Sequence, residues 1–490
     1  MKNKSITSFA CVVISAEMLS FLGYYYQIIN FISFFAIAAI VFILSLRKLE
    51  YGLFALLAEL IIGSFGYLFY FENNGFKISI RITLWLIIMS VWLANEITKF
   101  IKTKKFEIYF FRSSYLFYFL FLFIFIIFGA INGFARGNLF NDIFFDFNNW
   151  LYFPLIFPIF SVFQNDDNLK TAKQIFLVSI IWLSVKTIIL AYIFSHNFIF
   201  FIPDIYLWIR QSGVGEITQV VPGFSRIFMQ SHIFVLIGFF ALLFYLPKRS
   251  QNSYAPILAL PLSAIIISFS RSFWIGLAVG GFFFLMAIIF KLKIKLKKFI
   301  ALNSIALSAA VLSLALAFFI VKFPFPAPAG NFDATNLLSQ RASQISSEAG
   351  VSSRWRLLPQ LWKEIKKSPI SGQGFGATVT YQSYDPRILK TNSQGEYTTY
   401  AFEWGWLDIW LKLGILGLTA YIILFIKLIF DGLKINSRLS LSLTAGLIII
   451  FFVSIFSPYA NHPLGIGYII AAAAIMEKLK ITIIRPCVNP

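Results

Sequence analysis

Long apolar stretches alternate with short polar ones along the chain, and this pattern outweighs any period inside a stretch. About fourteen stretches approach the roughly 20 apolar residues that cross about 30 Å of hydrocarbon at 1.5 Å per residue. They lie at approximately 6–24, 28–46, 51–70, 79–98, 113–132, 143–163, 174–194, 226–246, 255–270, 271–290, 300–321, 404–426, 440–457 and 464–477. Continuous runs of this kind predict an all-α, polytopic membrane helical bundle of about 14 (12–14) transmembrane helices. A membrane β-barrel would alternate with a period of two instead. The run from Ala255 to Phe290 would be about 54 Å long as one helix, so it must double back. Its one charge is Arg271, in Ser270-Arg271-Ser272, and the hairpin tip is expected there.

Three parts follow from the spacing. Residues 1–321 carry helices 1–11, residues 322–403 form a large, partly helical loop, and residues 404–490 carry helices 12–14 and a short tail. The large loop opens with Phe323-Pro324-Phe325-Pro326-Ala327-Pro328, which should leave the membrane extended. A polar helical stretch is expected next. Beyond it, Trp355, Leu358, Leu361, Trp362 and Ile365 recur at helical spacing, with Pro359 expected to start or kink a turn. This part reads as a helical cap on the membrane interface, its stripe in lipid or against the bundle. A second loop of about 30 residues spans 195–225, and no internal repeat is visible.

Composition narrows the class. The 490 residues are 59% hydrophobic and 13% charged, against roughly 45–50% and about 25% in soluble proteins, which excludes a soluble enzyme and a disordered chain. The net charge of +20 would suggest nucleic acid in a soluble protein. Here the lysines lie between apolar runs, so no nucleic acid is expected and the partners are membrane lipids. One set of alternating loops holds 24 of the 41 basic residues, including Lys99–Lys105 and Lys291–Lys298. The short loops of the other side hold Lys77, Arg81, Arg136, Arg210, Arg226 and Arg271. Cytoplasmic loops carry the lysine and arginine excess, so both termini should face the cytoplasm and the large loop outward. Cys11, Cys487, His196, His232 and His462 fall in no disulfide or metal-ligand spacing, so no metal and no cofactor is expected. The first apolar run follows Lys2 and Lys4 without a clear small-residue cleavage site and is read as a retained helix.

Arginine at membrane depth costs roughly 2.5–3.5 kcal/mol on insertion scales and needs a reason. Arg81 begins the fourth span, Arg210 lies in the 195–225 loop, Arg226 begins the eighth span after Val221-Pro222-Gly223-Phe224-Ser225, and Arg271 stands alone in its hairpin. Each reads either as a side chain that snorkels or pairs with a carboxylate, or as a planar donor fork for phosphate oxygens. The phosphate reading suits Arg271 best, because a tight hairpin tip has easier residues available. A phosphate clamp on the outer face suggests a lipid-linked substrate. Glu403 closes the large loop in Ala401-Phe402-Glu403-Trp404-Gly405-Trp406. Partial burial there would make it a general base, while an ion pair with an arginine is the other reading. Asp408, about 1.4 turns further, carries the same ambiguity. Gly372, Gly374 and Gly376 superficially suggest a nucleotide loop but follow no strand and open no βαβ unit, so they read as a tight turn.

Three stretches taken together resemble the bacterial O-antigen ligase and polymerase superfamily: Ser225-Arg226-Ile227-Phe228; Ser268-Phe269-Ser270-Arg271-Ser272; and the outward loop. That loop carries Arg354-x-Arg356 upstream of Pro369–Gly376 and ends in Trp406–Leu418. The resemblance covers residues 225 to about 430. It implies a polytopic inner-membrane glycosyltransferase without a metal requirement. Such an enzyme takes a glycan from an undecaprenyl-diphosphate-linked donor on the periplasmic side and passes it to an acceptor hydroxyl. The resemblance also implies that Arg226 and Arg271 bind the donor diphosphate, with Arg354, Arg356, Arg210, Arg81 and Asp408 as further candidate acceptor or phosphate contacts. The ligases carry a His-Asn pair near the end of the large loop; Glu403-Trp404 stands in that place, which makes Glu403 the candidate catalytic base. A repeat-unit polymerase is the leading expectation. A ligase acting on lipid A core or protein, and a transporter or flippase for the same lipid-linked glycan, are the alternatives.

Overall fold

The computed structural model describes residues 2–73, 76–105, 107–246, 254–330, 332–333 and 349–484. Helices dominate it. They run in order α1 (Lys2–Tyr25), α2 (Gln27–Arg47), α3 (Leu49–Ile62), α4 (Ile80–Thr103), α5 (Leu116–Ala135), α6 (Phe140–Asn148), α7 (Ile156–Val162), α8 (Asp166–Ser195) and α9 (Ile202–Gln211). The second half holds α10 (His232–Tyr245), α11 (Ala255–Ser268), α12 (Arg271–Met286), α13 (Leu296–Lys322), α14 (Ala349–Lys367), α15 (Pro386–Thr391), α16 (Gly405–Ile435), α17 (Arg438–Val453) and α18 (Pro463–Ile484). All fourteen predicted apolar stretches fall mainly on helical structure. Among the described residues, nine helices are long and apolar enough to cross a membrane, and α10, α11 and α17 are shorter apolar helices.

The outer surface fits a lipid solvent. Phe117, Ile124 and Ile131 stand exposed along α5, as do Leu307, Val311 and Leu314 along α13. Apolar surface costs roughly 25 cal/mol per Å² when left in water, a penalty that hydrocarbon removes. Inside, aromatic side chains such as Phe153, Phe160, Phe240, Phe273 and Tyr421 are fully buried. Buried charges within apolar helices form pairs at two places: Lys186 Nζ lies 2.5 Å from Glu17 Oε2, and Arg81 Nε lies 2.8 Å from Glu59 Oε2.

The hairpin tip is where the charge pattern puts it. α11 ends at Ser268, Phe269 turns the chain with φ of 48°, and Arg271 is the first residue of α12. Three departures stand out. The chain forms antiparallel hairpins β1–β2 (Tyr70–Asn73, Phe76–Ser79), β3–β4 (Glu216–Val221, Phe224–Phe228) and β5–β6 (Val379–Gln382, Glu396–Thr399), none of which the apolar pattern predicts. Arg226 therefore lies on a strand before α10, not at the start of a helical span. Pro359 starts no new turn but lies inside α14, leaving the Trp355 carbonyl without its helical donor on an exposed face. The polar helical stretch expected after Pro328, together with Lys248, Arg249, Arg485 and Cys487, lies outside the described residues.

The cap is only partly as predicted. Leu361 and Ile365 are buried, joined by Leu357, and pack with Phe402 of the loop and Leu411 of the bundle. Trp355 and Trp362, assigned to the same stripe, are exposed at its edges. They meet Trp404 and Trp410 edge-on, at ring-centroid distances of 5.5 and 5.3 Å.

Candidate functional site

The β3–β4 hairpin and the α11–α12 tip come together through aromatic pairs. Phe224 meets Phe269 at 5.6 Å, and Phe228 stacks on Phe273 at 5.7 Å between ring centroids. Residues i, i+2 and i+4 of a strand share a face, so Arg226 stands between the two phenylalanines that grip the tip. Its guanidinium carbon lies 5.0 Å from the Phe228 ring centroid. Arg271 itself begins α12, where the positive end of the helix adds to its charge.

A third arginine joins from the large loop. Arg354, on α14, lies within electrostatic reach of both Arg226 and Arg271; partial burial first, and then those two positive charges, bring its pKa down to about 10. Crowded guanidinium groups repel one another, and what relieves that cost is an anion. Among the described residues, Glu403 and Glu216 border the cluster. Glu403 forms an ion pair with Arg354, each side chain about half exposed, and the neighbouring Trp404 indole donates to the Arg354 carbonyl at 3.1 Å. Glu216, at the start of β3, also lies within electrostatic reach of Arg354 and sits 3.7 Å from Arg210 Nη1. Arg210 is thus at the edge of the group. Arg356 points elsewhere, exposed and over the Tyr384 ring at 4.1 Å.

Two further candidates, Arg81 and Asp408, lie buried in ion pairs, the other reading the sequence left open for each. Arg81, expected as a phosphate contact, is committed to Glu59 through Nε and Nη2, at 2.8 and 3.1 Å, and through Nη1 to the Ser64 carbonyl at 2.5 Å. All three of its nitrogens are engaged inside the bundle. Asp408 is likewise buried: Lys412 Nζ lies 2.5 Å from Oδ1, and Asn461 donates its amide to Oδ2. It is held in an internal ion pair.

Sequence reasoning missed the network to which Asp408 belongs. Lys412 Nζ is also 2.6 Å from Asp146 of α6, and Asp146 accepts the Gly376 backbone N–H at 3.0 Å. Asp408 and Lys412, four apart in an apolar helix, and Asp146 among phenylalanines were the available signal. Beside this network α16 breaks: Gly414 has φ of 73° and ψ of 177°. The loop Pro369–Gly376 seals the break. Gln373 and Gly374 N–H groups donate to the Leu411 and Lys412 carbonyls at 2.6 and 3.1 Å, and Ile415 N–H donates to the Pro369 carbonyl at 2.9 Å. Gly374 has φ of 80°, and a Cβ there would lie 2.1 Å from the Gly133 nitrogen, so close backbone approach demands glycine. The glycine triplet is a clamp of the fold and no nucleotide loop.

Against known proteins, residues 256–422 match the model of the O-antigen ligase family, roughly a third of the chain. Arg271, Arg354, Glu403 and the Gly414 break lie inside the match; Arg226 lies just before it. No curated protein matches the chain. In residues 256–422 the chain is thus similar to the O-antigen ligase family, and it carries the apolar helices of a multi-pass membrane protein.

Proposed function

We propose that the protein is a glycosyltransferase of the bacterial inner membrane, with about fourteen spans, both termini cytoplasmic and the large loop periplasmic. It moves an oligosaccharide from undecaprenyl diphosphate to an acceptor sugar hydroxyl. The observation that carries this reading is the convergence of Arg226, Arg271 and Arg354, with Glu403 paired to the last. The diphosphate sits among the guanidinium groups, which offset the charge that grows on it as the anomeric C–O bond breaks. By competing for Arg354, it releases Glu403 from its ion pair. The freed carboxylate takes the proton of the acceptor hydroxyl, whose oxygen forms the new bond to the anomeric carbon. Undecaprenyl diphosphate leaves with the electron pair.

Repeat-unit polymerisation is the leading form, because Glu403-Trp404 stands where the ligases carry His-Asn. Ligation is the second reading, favoured by the family description itself. A flippase would use a broken helix to line a path with free backbone groups; in α16 those groups are capped by the Pro369–Gly376 loop, which favours an enzyme. The test is transfer by purified protein given lipid-linked repeat units. Arg271→Lys and Glu403→Gln should each lose at least about a hundredfold in rate, on the scale of removing one transition-state donor. Long lipid-linked chains as product support polymerase; transfer only to a lipid A core or protein acceptor supports ligase. Full activity in both variants ends the assigned roles.

A further inference from the structure

Away from the arginine cluster lies a cavity of about 440 Å³ between α3, α8, α10, α17 and α18. Its walls are almost wholly apolar, including Leu60, Phe176, Ile180, Phe234, Ile237 and Ile475. The residues lining it run from Leu169 to Ile180 on α8 and from Phe234 to Tyr245 on α10. Eleven residues of helix rise about 16 Å, the depth of one leaflet of a hydrocarbon core about 30 Å thick.

Polar groups gather at one end. Lys173, near the start of α8, lines the cavity with Tyr245, at the end of α10, and Ser442 of α17. Arg438, the first residue of α17, lies within electrostatic reach of Tyr245. Its Nη1 is buried with no hydrogen-bond partner among the described residues. Lys173 also neighbours Lys478. The opposite end of α8, at Ser195, is about 33 Å from Lys173 along the helix, and β4 with Arg226 follows on that side. The basic mouth therefore opens toward the face away from the arginine cluster.

We infer that this cavity is a lipid site: it holds one acyl chain of an anionic phospholipid of the leaflet opposite the arginine cluster, whose phosphate meets Lys173 and Arg438. A single-leaflet depth selects an acyl chain over a tail that crosses the whole bilayer. Basic residues at the mouth select an anionic headgroup over a zwitterionic one. Away from its polar mouth the space offers water few partners and gains by filling with hydrocarbon. The inference does not depend on the transfer reading, since no residue is shared.

The test uses the full chain reconstituted in nanodiscs of equal parts phosphatidylglycerol and phosphatidylcholine, re-extracted in detergent, with retained lipid identified by mass spectrometry. Wild type should retain about one phosphatidylglycerol per chain, in about tenfold or greater preference over phosphatidylcholine. Lys173→Gln with Arg438→Gln should bring that preference to within about twofold. Filling the space by Ala241→Phe or Ala471→Phe should cut retained lipid about tenfold. The wild-type measurement decides even where a variant fails to fold: no retained lipid, or equal retention of both lipids, overturns the site. Protein extracted directly from its native membrane provides the second arm. A retained polyprenyl diphosphate in place of phospholipid would also overturn it.

Discussion

Lys412 ties two buried carboxylates together beneath the large loop, and its removal makes a sharp stability prediction. Its side chain is 1% exposed, and its ammonium lies 2.6 Å from Asp146 and 2.5 Å from Asp408. Lys412→Met conserves apolar volume but leaves two carboxylates facing each other without a cation. Breaking a buried pair by removing one partner costs about 3–5 kcal/mol, roughly a hundredfold to a few thousandfold in the folded-to-unfolded ratio. The Gly376 N–H bond to Asp146 is expected to loosen too, because it is carried by the same carboxylate. The assay is equilibrium unfolding in mixed micelles with increasing anionic detergent, followed by helical circular dichroism. Asp146→Asn with Asp408→Asn in the Lys412→Met background should recover most of the loss, since the orphaned charges are then gone. A single variant within about 1 kcal/mol of wild type, or no recovery in the triple variant, would refute the reasoning.

Other outcomes follow from the same structure. Arg354→Gln should abolish transfer while leaving the unfolding midpoint unchanged or slightly raised. Its lowered pKa means the fold disfavours its charge, and the half-exposed pair with Glu403 returns little stability; a large loss of stability would contradict this. Arg81→Met should behave oppositely, costing about 3–5 kcal/mol through an orphaned Glu59 while keeping the transfer rate per folded molecule, measured in the same assay. Gly374→Ala should destabilise by about 1–3 kcal/mol from backbone strain alone, with the Gly133 contact adding to it; unfolding of that variant checks it.

Helical architecture was legible because a continuous apolar run can satisfy its backbone in lipid only as a helix. The hairpin at Arg271 was legible for a related reason: a lone charge in a run too long for one span marks the fold-back. Strands were not, because β3 and β4 are short segments beside a long apolar run, and Arg226 was absorbed into the helix that follows. The arginine cluster was half visible. Arg226 and Arg271 are expensive wherever they sit, but Arg354 stands in a polar loop where arginine costs nothing, and only tertiary packing brings it to the other two. Glu403 and Asp408 looked alike in sequence; burial separates them, one half exposed beside Arg354 and the other enclosed with Lys412 and Asn461. The Gly414 break had no local signature that distinguished it from an ordinary glycine in an apolar helix.

The central claim is that three guanidinium groups form one diphosphate site, and equilibrium binding of undecaprenyl diphosphate to purified protein tests it most directly. Changing Arg226, Arg271 and Arg354 together to glutamine should weaken binding by at least about a hundredfold, for the loss of charge-assisted hydrogen bonds worth about 1.5–3 kcal/mol each. The protein should still unfold at its ordinary midpoint. Unchanged affinity in a folded triple variant would contradict the account.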